Sequence, residues 1–120
     1  MAPDTGALLS PPRLWLRFAP EDGHPDGMTT DAAGRLWVAH WGAACVTCHD
    51  PHTTAELARI ALPTDHVSNC CFGGPDLRTL YVTTARFGLS EAQRDAQPLA
   101  GGLFAVPLDT PGRPAHRFAG

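Results

Sequence analysis

The sequence predicts an all-β fold of about two four-stranded antiparallel sheets plus one strand of a preceding sheet, and three observations predict it. A strand–turn–strand unit occurs twice, at an offset of about 45 residues. The strands of each copy alternate at period two and carry apolar residues on both faces. Twelve glycines and twelve prolines are spread along the 120 residues, which favours short elements joined by turns over long helices.

The elements follow in chain order. The run Leu14–Phe18 reads as the last strand of a preceding sheet. Pro25, Asp26, Gly27 and Met28 open the first complete unit, and Asp31 marks the turn to its second strand, Leu36 to Ala39. In that strand Leu36, Val38 and His40 fall on one face, and Trp37, Ala39 and Trp41 on the other. Both faces carry apolar residues, as in a sheet packed between two neighbouring sheets, which is the blade of a β-propeller. Ala44–Asp50 supplies the third strand and Leu57–Leu62 the fourth.

The second unit starts at Cys71, turns at Asp76 and continues through Leu80, Tyr81, Val82 and Thr83. Asp76 answers to Asp31, and Tyr81 to Trp37. Its third strand is Leu103–Asp109, and Ala115–Phe118 is a fainter fourth. One helical segment interrupts it. Ser90 followed by Gln93 is a capping box, so a short helix runs to Gln97 and stops at Pro98. Gly101 and Gly102 then restart the strand.

Charge and cysteine content exclude several function classes. Net charge is −3, and the nine basic residues, all arginine, are scattered rather than clustered, so no nucleic-acid partner is expected. No apolar run approaches the roughly 18 residues of a membrane span, so no membrane partner is expected either. Met1 to Asp4 lack the basic and apolar regions of a secretory signal, which points to the cytoplasm. The four cysteines are then expected to be reduced thiols.

Consecutive motifs resemble the senescence marker protein, regucalcin and gluconolactonase family. They are Pro25-Asp26-Gly27-Met28 with Leu36-Trp37-Val38-Ala39, then Cys70-Cys71-Phe72-Gly73-Gly74-Pro75-Asp76-Leu77 and Thr79-Leu80-Tyr81-Val82-Thr83. Gly101-Gly102-Leu103-Phe104 and the terminal Phe118-Ala119-Gly120 continue the likeness. The stretch Asp4 to Leu8 resembles the turn and strand before the Pro-Asp-Gly segment, so the likeness begins in mid-blade.

The resemblance implies a six-bladed propeller with one divalent metal ion (calcium, zinc, magnesium or manganese) at its axis, and hydrolysis of sugar lactones as the activity. It implies Asp26 as metal ligand and as proton acceptor. The family's Glu and Asn ligands have no counterpart here. Six blades of about 45 residues need roughly 270, so residues 1–120 are expected to be the C-terminal part of such a propeller. A non-catalytic propeller remnant is the alternative. Uncovered blade faces would promote self-association.

Other constellations carry competing chemistry. Cys45-Val46-Thr47-Cys48-His49 matches the attachment motif of a c-type haem, but a strand at this place turns Cys45 and Cys48 to opposite faces. Zinc held by Cys45, Cys48, Cys70 and Cys71 fails for the same reason, since adjacent Cys70 and Cys71 diverge. A Cys–His nucleophile pair lacks an orienting third group. His40, His49, His52 and His66 read as surface or interblade residues. His24 is the histidine with a reason to lie near the metal, though a turn role suits it better. Arg86 and the Ser90–Gln97 segment form the one long loop between strands, which reads as a solvated cap as readily as a functional rim.

Overall fold

The computed structural model describes residues 7–119. Two antiparallel sheets make up the fold. The first holds β1 (His24–Thr30), β2 (Leu36–Trp41), β3 (Cys45–His49) and β4 (Glu56–Ala61) in chain order. The second holds β5 (Val67–Gly73), β6 (Thr79–Thr84) and β7 (Leu103–Pro107), also in chain order. Each is a meander, and each reproduces the repeat expected from the sequence.

Alternation decides which side chains meet. Trp37 and Ala39 of β2 and Val46 and Cys48 of β3 form one face of the first sheet. They pack on Val67, Cys70, Leu80 and Val82 of the second sheet, with the Phe72 ring edge-on to Trp37 at 5.9 Å. Fully burying each Val or Leu at this seam contributes about 1.5–3 kcal/mol. Trp37 thus lies on the face that looks forward along the chain. Tyr81 lies on the equivalent face of the second sheet, which is uncovered.

The turns carry the polar work. Asp31 sits between β1 and β2, fully buried, and accepts hydrogen bonds from the backbone N–H of Ala33 and Arg35 at 2.9 and 3.0 Å. Asp76, its counterpart, accepts one from Arg78 N–H at 3.1 Å. The link between the sheets is clamped by its own carbonyl, since Gly42 and Ala44 both donate to Asp65 O. Helix α1 (Glu91–Ala96) has the predicted capping box between Ser90 and Gln93. Gln97, just beyond it, holds the link through three hydrogen bonds, with Thr64, Asp65 N–H and the Asp65 carboxylate.

Two predicted strands are absent among the described residues, so the fold has a four-stranded and a three-stranded sheet rather than two of four plus an extra strand. Leu14–Phe18 is not paired, because no strand among the described residues lies beside it. It is held instead by ring contacts and by Trp15 Nε1 donating to Pro51 O at 3.3 Å. Ala115–Phe118 is also unpaired, because the chain is diverted just before it. Gly112 bridges to Asp31 and donates to Leu77 O at 2.7 Å, drawing the segment across to the first sheet's turn. The likeness expected at Asp4, Thr5 and Gly6 lies outside the described residues.

Candidate functional site

Asp26 lies in β1 at an irregularity. Pro25 pairs with His40 and Met28 with Val38, so Asp26 and Gly27 bulge out of the ladder. A bulge re-aims the side chain it carries. Asp26 is exposed, and among the described residues its carboxylate makes no hydrogen bond or ion pair. Gly27 is packed directly on the Asn69 side chain of β5, where a Cβ would collide with it. Only glycine fits there, and this contact sets the bulge against the second sheet. Asn69 escaped the sequence reading because an exposed asparagine in a strand carries no local signal.

The other residues singled out do not join Asp26. His24 is exposed, pairs with Trp41 in the ladder, and makes no hydrogen bond or ion pair with Asp26 among the described residues. Arg86 lays its stem on Gly101 at the base of the helical excursion. No group of three or more His, Cys, Asp or Glu that could hold a metal occurs among the described residues. A hard cation takes six or more oxygens, and Asp26 offers one or two. The described residues therefore do not make up a metal site.

Three of the four cysteines are packed inside the fold. All four are free. Cys48 and Cys70 lie in the seam between the sheets, where burial pushes their thiols up to about 11 and about 12. Cys45 is on the opposite face of β3, raised by burial against a smaller opposing effect of Arg59, whose guanidinium is 3.5 Å from its sulfur. Cys71 is exposed. Cys45 and Cys48 therefore cannot meet one haem edge, and both ring nitrogens of His49 are engaged, by Thr47 and by Thr54 O.

Cys71 lines a groove of about 280 Å³ together with Asn69, Cys70, Tyr81, Thr83 and Leu103. This groove is the forward face of the second sheet, the place where the first sheet carries Trp37.

Residues 2–86 match the family model described as the SMP-30/Gluconolactonase/LRE-like region. The chain is 45% identical over 118 residues to the candidate sugar lactone lactonase YvrE of Bacillus subtilis, covering 98% of this chain and 40% of the relative. It is 40% identical over 118 residues to the pentonolactonase XacC of Haloferax volcanii, covering 95% of this chain and 40% of that protein. Among solved structures, the calcium-binding protein regucalcin from Agrobacterium tumefaciens aligns with a TM-score of 0.73 and 34% identity. That alignment covers 80% of this chain and 33% of regucalcin. The chain thus spans about 40% of the length of the curated relatives it matches.

Proposed function

Since the chain belongs to the SMP-30/gluconolactonase/LRE-like family, we propose that it is the C-terminal part of a six-bladed propeller that hydrolyses sugar lactones, with Asp26 as metal ligand and proton acceptor. The observation that carries this reading is the bulge in β1, which presents an exposed, unpaired carboxylate on a rigid strand. The lactonase names of the relatives support the substrate class. The four free thiols fit the reducing cytoplasm.

Hydrolysis joins the oxygen of a water molecule to the lactone carbonyl carbon and breaks the ring C–O bond. The proton released from that water goes to Asp26 and then to the departing alkoxide, giving the open hydroxy acid. A bound divalent cation (calcium, zinc, magnesium or manganese) would supply carbonyl polarisation. The other ligands of such a cation would have to come from outside the residues described.

The test is to join residues 1–120 to the part of YvrE they do not match, and to compare Asp26 with Asp26→Asn. Asn keeps the size and turn preference of Asp but loses the charge and the proton acceptor. Turnover of a sugar lactone should fall by about 100-fold or more, while stability changes by less than about 1 kcal/mol. Equal hydrolysis and equal metal affinity in the two proteins would remove Asp26 from the site.

A further inference from the structure

The face of the first sheet turned away from the second carries a run of polar side chains that the proposed lactone chemistry does not use. His40 and Thr47 are fully buried and His49 nearly so. His40 Nδ1 lies 2.8 Å from Asp22 O, and its Nε2 lies 2.6 Å from Thr47 Oγ1. The same hydroxyl is 2.7 Å from His49 Nε2, and His49 Nδ1 is 3.0 Å from Thr54 O. The run therefore ends on a backbone carbonyl at each side and has one hydroxyl at its centre.

Counting hydrogens shows that two neutral rings cannot complete it. A carbonyl oxygen only accepts, so both Nδ1 atoms must carry a proton. A neutral imidazole has one N–H, which leaves both Nε2 atoms bare and aimed at Thr47 Oγ1. That hydroxyl has a single hydrogen to donate. One of the two short contacts would then set lone pair against lone pair among side chains shut off from bulk solvent. One additional proton completes the run. One ring donates from Nε2 to Thr47 Oγ1, and the hydroxyl donates to Nε2 of the other. Reversing the hydroxyl exchanges the roles of the rings.

Charged side chains lie around the run. Asp22 and Glu56 are both paired with Arg59, at 3.3 and 2.6 Å, so this trio carries one net negative charge beside the two rings. The Glu56 carboxyl is held below the ordinary range first by the hydrogen bond from Arg59, against the opposing effect of burial, with the Arg59 charge adding to it. The Cys45 thiol shares the face, and Arg17 is exposed on the covering segment. Phe18 caps both rings edge-on, at 4.7 Å from His40 and 5.5 Å from His49, and Trp15 reaches His49 at 6.4 Å.

We propose that His40, Thr47 and His49 form a relay that holds one shared proton, and that this relay is a pH-sensitive latch on the segment Leu14–Phe18. With the proton bound, the run is complete and Phe18 and Trp15 rest on a fixed surface. When the proton leaves to water, Thr47 must abandon one ring, and the aromatic cover loses its seat.

The test is nuclear magnetic resonance of the full chain with ¹⁵N-labelled histidine, titrated between about pH 5 and 8, where histidine charge changes are read. His40 and His49 should move together through one transition that sums to a single proton, both keeping Nδ1–H, and the amide shifts of residues 14–18 should follow it. His49→Phe leaves Thr47 free to donate to a neutral His40, so the 14–18 shifts should become insensitive to that transition. Independent titration of the two rings overturns the proposal. So does a pH response of residues 14–18 that survives His49→Phe, or the opposite tautomer in both rings at every pH.

Discussion

Trp37 Nε1 donates to Asp31 Oδ2 across 3.0 Å, with both side chains withdrawn from solvent. The same carboxylate accepts from Arg35 Nε at 2.8 Å and from two backbone N–H groups. A residue that reads in sequence as a turn marker is thus the polar anchor of the first sheet. Burial raises its pKa, but the hydrogen bonds from Trp37 and Arg35, and the Arg35 charge, outweigh burial and leave it below the ordinary value of 3.8.

The acid limb of stability should report this. A carboxyl with a depressed folded pKa contributes stability above its unfolded value and loses it as pH falls through the folded value. Denaturant midpoints should therefore decline below about pH 4, and Asp31→Asn should flatten part of that decline. Asp31→Ala strands buried donors and should cost about 3 kcal/mol at neutral pH. An unchanged midpoint in Asp31→Ala would contradict the anchoring role.

Thiol chemistry should separate the cysteines. Cys71 is exposed, whereas burial holds Cys45, Cys48 and Cys70 in the unreactive thiol form. A thiol reagent at neutral pH should label one site quickly in the folded chain and four only after denaturation, as read by mass spectrometry. Fast labelling of Cys70 in native buffer would mean that the seam between the sheets opens readily.

The chain on its own should associate. The groove around Tyr81 and Leu103 is the counterpart of a face that the first sheet has covered, and β4 and β7 each leave one edge unpaired. Size-exclusion chromatography should show species larger than the 12.8 kDa monomer, increasing with concentration. Leu103→Lys, on that exposed face, should shift the distribution toward monomer. A sharp monomer at high concentration would argue against the uncovered-blade reading.

Residues 1–120 alone should show no lactonase activity with calcium, zinc, magnesium or manganese. One carboxylate does not hold a hard cation at useful strength. Metal-dependent ring opening of a sugar lactone by this chain, at a rate above the uncatalysed background, would show that the described residues suffice.

The legible part of the fold was the part governed by period two. Trp37 and Tyr81 could be matched because each needs the same face of its sheet, and the Ser90–Gln93 box announced its helix locally. Leu14–Phe18 has the pattern of a strand, but pattern does not supply the partner that a strand requires. Ala115–Phe118 was overridden by contacts of Gly112 with residues far back in the chain. At the site, Asp26 was visible through a motif, while Asn69 and the Thr47 relay exist only through pairings between strands. His40 and His49 look like any strand histidines until β2 and β3 are set in register.

The bridge between Asp31 and Gly112 joins positions that open and nearly close the sequence of sheets, and Arg113 Nε reinforces it on Asp31 O from 82 positions away. A link of that span closes about two thirds of the chain into a loop, and its entropic cost grows only slowly with length. Its return is cooperativity. The first turn of the first sheet and the exit of the second cannot fray separately, so loosening either end exposes the other. Residues 110–113 form a clasp, so the two sheets should rise and fall as one thermodynamic unit rather than as a pair of independent repeats.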